Sequence, residues 1–171
     1  GSFTLPAWTD SEPDWPGVVW PTLQLAGEVM ATNVAFAGIY ANSLQTHFTC
    51  TNRFWRLPDL VVGRPEGRLE LAHTLNEVTR DFRFRFRSTL DLTAARSLLP
   101  AEAQEALDLC EFTSPPDLAG ELWGCGSDLE RIGFRGQLAL TNFTFRQLNM
   151  DAIVTRLGYT NRVISFAESR A

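Results

Sequence analysis

Lysine is missing from this chain of 171 residues, histidine occurs only twice and cysteine three times. All 15 basic residues are therefore arginine, which reads first as a coding bias and second as a preference for guanidinium geometry at bidentate or stacked sites. No uninterrupted run of about 18 apolar residues is present, so no segment is read as a bilayer-spanning helix. Cys50, Cys110 and Cys125 lack CxxC spacing and imply neither a disulfide framework nor a zinc site, although one pair could close in an oxidising compartment. His47 and His73 lie in alternating segments without carboxylate or cysteine at ligand spacing and are read as structural. HExxH, GxSxG, Walker and GxGxxG patterns are all lacking. "GELWGCG" is glycine-rich, but no helix follows it to cradle a phosphate. Carboxylates such as Asp59, Glu66, Glu70, Asp81 and Asp91 sit beside turns, with no spacing that asks for a catalytic dyad. Hence no catalytic residue, metal ligand or cofactor is assigned, and the chain is read as non-enzymatic. The net charge of −5 argues against a nucleic-acid partner, because affinity for that polyanion comes from clustered cations.

Apolar residues make up 44% and charged residues 20%, a globular balance in a chain long enough for one domain. Gly1-Ser2 reads as a cloning remnant. Residues 3–22, "FTLPAWTDSEPDWPGVVWPT", carry four of the nine prolines and three of the five tryptophans, so residues 1–22 are read as a remnant and an irregular arm. Trp8, Trp15 and Trp20 either staple that arm to its own domain or line an interface. Residues 23–171 are read as a single β-rich domain.

That domain repeats itself. A shift of 109 residues aligns 27–60 with 136–169 without a gap, and eight of the 34 pairs are identical, including Gly27/Gly136, Asn33/Asn142, Phe36/Phe145, Thr46/Thr155 and Asn52/Asn161. Each copy reads as a three-stranded antiparallel meander: a strand bent at Thr-Asn, a polar turn at Ala41-Asn42 or Met150-Asp151, a second strand, a Thr-Asn turn, and a third strand. Asn52 and Asn161 are turn formers.

Between the copies, Arg68 to Thr74 reads as a strand with Leu69, Leu71 and His73 on one side. In "RDFRFRFRSTLDL", Phe82, Phe84 and Phe86 alternate with Arg83, Arg85 and Arg87. This pattern fits a core face backed by a solvated face. That is the ordinary state of antiparallel strands and the favoured reading; the functional alternative is an aromatic face for acyl chains or an arginine row for anionic head groups. Ala103, Ala106, Leu107 and Cys110 recur at helical spacing after Pro100, which predicts one short helical segment at about 92–111 covering an end of the sheet. The fold class read from these patterns is mainly β, a curved antiparallel sheet built from two repeated meanders with that helical segment between them.

The repeated unit, "NVAFAGIYANSLQTHFTCTNRFWRLPDL" and "NFTFRQLNMDAIVTRLGYTNRVISF", resembles the C-terminal region of AsmA-like proteins, a bacterial envelope family that includes TamB-like members. Phe145-Arg146 and Asp151 match the family pattern in the second copy, and Phe36, Gly38 and Leu44 in the first. Gln147 replaces the pattern's glycine and Ala37 its arginine. The resemblance spans about residues 24–168 and implies a non-enzymatic piece of a membrane-anchored periplasmic or cell-envelope protein. In that family a curved sheet shelters or guides lipid in envelope lipid transport or assembly. The expected partners are lipid or acyl chains and envelope proteins. Uncovered apolar sheet marks a binding surface. The candidate lining is Phe36, Leu44, Phe48, Trp55, Phe82, Phe84 and Phe86 with Phe145, Ile153, Leu157 and Ile164, and the head-group candidates are Arg83, Arg85 and Arg87. The alternative is a structural or protein-interaction module in which the same residues close into one dry core. A hydrolase of envelope polymers has no motif behind it.

Overall fold

The computed structural model describes residues 1–5, 12, 14–36, 39–93, 96, 101–126, 128, 130–161 and 163–170, with the side chains of residues 36, 39, 102, 103, 106 and 168–170 also left aside. Trp8 lies outside the described residues. The strands are β1 (Ser2–Thr4), β2 (Gln24–Phe36), β3 (Ile39–Thr51), β4 (Phe54–Arg64), β5 (Gly67–Asn76), β6 (Asp81–Ser88), β7 (Cys110–Phe112), β8 (Asp117–Cys125), β9 (Gly133–Phe145), β10 (Leu148–Thr160) and β11 (Val163–Arg170). The helical pieces are a π-helical turn at Trp15–Val19 that runs into α1 (Trp20–Thr22), and α2 (Ala101–Leu107).

All strands join one antiparallel sheet in the order β1-β2-β3-β4-β5-β6-β8-β9-β10-β11, with β7 added to β9. The sheet is open. Strands pack against their sheet neighbours, and among the described residues no second sheet lies over either side. The accessible surface is 11580 Å², whereas a compact protein of 19.1 kDa exposes about 8,400 Å² by mass scaling. Register shifts at Gln45/Thr49, Leu57/Leu60 and Val154/Arg156 bend the strands where they occur.

The hairpins β2–β3 and β9–β10 have the same dimensions, with all four strands 13 residues long. They also share a register: Leu25 faces Cys50 as Phe134 faces Tyr159, and Phe36 faces Ile39 as Phe145 faces Leu148. Asn33 and Asn142 occupy the left-handed region at the same place, φ 55° and 50°, a conformation Asn tolerates. The third strands differ in their surroundings. β4 is paired on both flanks, while β11 pairs only with β10 and leaves Val163, Ile164 and Phe166 63 to 69% exposed.

Three expectations are corrected. The turns do not fall at Ala41-Asn42 and Met150-Asp151, which lie inside β3 and β10. The second hairpin reverses at Arg146-Gln147, both left-handed (φ 47° and 68°), a two-residue turn whose twist matches the flanking strands; in the first, Phe36 pairs with Ile39, and residues 37–38 lie outside the description. The helix does not fill 92–111: α2 covers Ala101–Leu107, residues 94–95 and 97–100 lie outside the description, and Cys110–Phe112 forms β7 against Phe143–Phe145. Ladder partners on β9 outweigh helix propensity in so short a segment. Residues 1–22 are not wholly irregular, since Ser2 and Thr4 pair with Ala26 and Gln24.

Buried side chains gather in two places. Val19 is fully buried and Leu23 and Cys50 nearly so where the helical turn meets β2 and β3, and Pro116, Leu140 and Phe143 are buried in and beside β9. Glu77 accepts hydrogen bonds from the indoles of Trp20 and Trp55, both at 2.7 Å, and holds Arg53 at 3.5 Å. Burial pushes the Glu77 carboxyl up, but those three donors outweigh it and hold it below its ordinary value. Trp20 thus staples the arm to its own sheet.

Candidate functional site

Residues paired across antiparallel strands project to the same side of the sheet, so the register sorts the side chains into two faces. Starting from β6, Phe82 faces Leu75, which faces Trp55, which faces Cys50. Phe84 faces His73 and then Leu57 on one flank; on the other it faces Leu122, Phe134, Tyr159 and Ile164 in turn. Phe86 faces Leu71 and Leu60 on one flank, and across Gly120 and Gly136 it reaches Leu157 and Phe166. Ser88 begins a fourth row, through Leu69, Val62 and Leu44 one way and Leu118 and Leu138 the other. Every row is apolar apart from His73, Ser88, the ring-edge hydroxyl of Tyr159 and Thr155, which faces Leu138. One continuous apolar face therefore crosses the sheet.

Its relief is low because large rings lie over glycines. A Cβ built on Gly27 would meet Phe48 at 2.8 Å, one on Gly124 would meet Phe82 at 2.7 Å, and one on Gly136 would meet Phe134 at 2.7 Å. Phe86 stacks on Phe134 with centroids 6.3 Å apart, and Phe82 leans on Phe84 at 5.7 Å. His73 stacks on Phe84 at 4.1 Å, and its Nδ1 lies 3.2 Å from the Arg83 carbonyl. Burial lowers the His73 pKa, which favours the neutral ring.

Of the predicted lining, Leu44, Phe48, Trp55, Phe82, Phe84, Phe86, Ile153, Leu157 and Ile164 share this face. Phe145 does not join their rows: it lies beyond the left-handed Asn142, pairs with Leu148 and Cys110, and is 40% exposed with the Arg146 guanidinium over its ring at 5.6 Å. The backbone of Phe36 holds the equivalent place in β2, and its side chain lies outside the description. Leu122, Leu138, Phe134 and Tyr159 were not anticipated; period-two alternation from Leu118 to Leu122 and from Phe134 to Leu138 is the signal that marks them.

The arginine row points the other way. Arg83, Arg85 and Arg87 alternate with the phenylalanines and line the opposite, polar face, so they cannot hold the head group of a lipid lying beside Phe84. Arg87 is paired with Asp117 at 2.8 Å, and Arg83 lies 3.2 Å from Glu121. His47 also lies on the polar face. The register shift in β4 brings in Asp59, whose carboxylate accepts from the His47 backbone N–H at 2.8 Å and lies 2.6 Å from Nδ1, with Glu28 3.9 Å from Nε2. The hydrogen bond to Asp59 raises the His47 pKa, and the His47 backbone N–H lowers that of Asp59.

Among the described residues no group of three or more His, Cys, Asp or Glu could hold a metal ion, and no helix is long and apolar enough to cross a membrane. No disulfide joins Cys50, Cys110 and Cys125. No protein-family model, curated protein or solved structure matches this chain.

Proposed function

We propose that this chain is a non-enzymatic part of an AsmA-like protein of the bacterial cell envelope, and that its apolar sheet face shelters or guides the acyl chains of lipid in envelope lipid transport or assembly. The observation that carries the reading is the run of apolar cross-strand rows from β3 to β11, over which no second sheet lies among the described residues. Apolar surface of this extent is costly in water, at about 25 cal/mol per Å², and contiguous patches beyond a few hundred Å² mark binding sites. Rings packed over glycines leave a low, largely apolar floor, which suits a methylene chain. The resemblance in residues 24–168 supplies the periplasmic location, the membrane-anchored parent and the envelope proteins as partners.

The alternative, a protein-interaction module with a closed core and no lipid ligand, needs the sheet to close on itself, and β1 and β11 do not pair. The test is native mass spectrometry of protein purified from membranes, followed by titration with a fluorescent fatty acid. Retained lipid and saturable uptake are expected. Repeated absence of both would contradict the reading.

A further inference from the structure

We propose that Arg83, Arg85 and Arg135, gathered around the sunken carboxylate of Glu121 on the polar face, form a receptor for a phosphate-type oxyanion. Glu121 lies directly between Arg85 and Arg135 in one cross-strand row, and Arg83 approaches from the next row. Its two oxygens divide the work. One lies 3.2 Å from Arg83 Nε and 4.0 Å from Arg85 Nε, and the other accepts from Arg135 Nε and a terminal nitrogen at 2.9 and 2.5 Å. The side chain of Glu121 is 10% exposed, while those of Arg83, Arg85 and Arg135 are 56, 71 and 72% exposed. Solvent therefore meets a ring of guanidinium groups with the counter-charge beneath them.

Three guanidiniums on one carboxylate leave a surplus of two positive charges, in a chain whose net charge is −5. The flanking carboxylates do not cancel it, because Asp117 holds Arg87, Asp81 holds Arg131 and Glu70 holds Arg68. The hydrogen bond from Arg135 holds the Glu121 carboxyl below its ordinary value, so the anchor remains charged. A second feature fixes Arg135 from the side. The Trp123 ring lies over Gly133, where a Cβ would meet it at 2.4 Å, and the Arg135 guanidinium sits 5.8 Å from that ring. A depression lined by Phe54, Thr74, Trp123, Arg131 and Asp81 opens beside Arg83.

A buried carboxylate needs a cationic partner, but one guanidinium neutralises it, and three like charges crowded on one acid repel one another. Guanidinium forks match phosphate oxygens bidentately, and arginines pre-ordered by a buried carboxylate lose less freedom on binding. The receptor is independent of the acyl-chain reading, since the two lie on opposite faces. Its phosphate can belong to a soluble compound or to a lipid head group in a membrane surface.

Two probes separate these sources at low ionic strength, where such contacts are least screened: calorimetric titration with inorganic pyrophosphate, and flotation with vesicles of phosphatidylglycerol in phosphatidylcholine. Binding of pyrophosphate alone assigns soluble phosphates, and flotation alone assigns head groups; either supports the receptor. Arg85→Gln, at an exposed position 4.0 Å from Glu121, and Arg135→Gln, checked for an unchanged melting transition, are expected to weaken binding about tenfold each, the scale of one charge-assisted bidentate contact. Glu121→Gln adds to the positive surplus yet frees the arginines, so a pre-ordered receptor loses affinity. Tighter binding by Glu121→Gln, unchanged binding by both arginine variants, or no binding of either probe by the wild type would overturn the proposal.

Discussion

The ring of Phe86 on β6 stacks on that of Phe134 on β9 because β8 places Gly120 between them. A Cβ at Gly120 would meet the Phe134 ring at 3.0 Å and the Arg135 carbonyl at 2.9 Å. Gly120→Val is therefore expected to destabilise the protein by about 1–3 kcal/mol, the usual cost of overpacking. The urea midpoint measures it, and an unchanged midpoint would show that the rings are not held as described.

Asn142 carries a left-handed backbone, φ 50°, at the bend that turns Phe145 out of the apolar rows. Asn142→Val is expected to cost about 1–2 kcal/mol, from the clash of Cβ with the backbone in that region, whereas Asn142→Gly removes the clash. A Val variant as stable as the Gly variant would contradict the assigned conformation.

The His47–Asp59 pair makes stability depend on pH. The raised His47 pKa means that its contribution is complete below its ordinary value of 6.5 and is lost as pH rises through the folded value. The lowered Asp59 pKa means that its contribution is present above 3.8 and is lost as pH falls through the folded value. The pair thus stabilises most between those two pH values. His73, lowered by burial, acts in the opposite sense around neutrality, but it is common to both proteins compared. Melting of the wild type against His47→Gln at pH 5.5 and 8.5 is expected to show a wild-type advantage at the lower pH that shrinks at the higher. An advantage that grows with pH would reverse the assignment.

Glu77 ties the helical turn to β4 through the indoles of Trp20 and Trp55. Glu77→Ala removes an acceptor shared by three donors and is expected to cost roughly 1.5–3 kcal/mol, the range for hydrogen bonds to a charged group. Amide exchange should quicken first at Trp15–Leu23. Exchange that stays slow there would mean that the arm is held by apolar contact alone.

Much of the sheet was legible because period two is a local signal. Phe82, Phe84 and Phe86 announce one apolar side, and Asn33, Asn52, Asn142 and Asn161 each take the left-handed backbone that their type permits. Turn positions were less legible: Arg146 and Gln147 carry no glycine to mark a left-handed pair. The helix was overextended because Cys110 fits both a helical stripe and a strand, and only its partner Phe145 decides. The Glu121 cluster was invisible in sequence. It depends on β8 lying between β6 and β9, a neighbour relation settled by pairing far along the chain. Asp59 reaches His47 only through a register shift that no local pattern records.

The acyl-chain reading rests on one side of the sheet and not the other. Ile153 and Val154 are adjacent, similar in chemistry and on opposite faces, since Ile153 pairs with Leu140 and Val154 with Ala139. A photo-reactive amino acid placed at each position in turn, in protein held in its native membranes, tests the claim most directly. Lipid adducts at residue 153 and almost none at residue 154 are expected. Equal labelling at both, or lipid at 154 alone, would contradict the account.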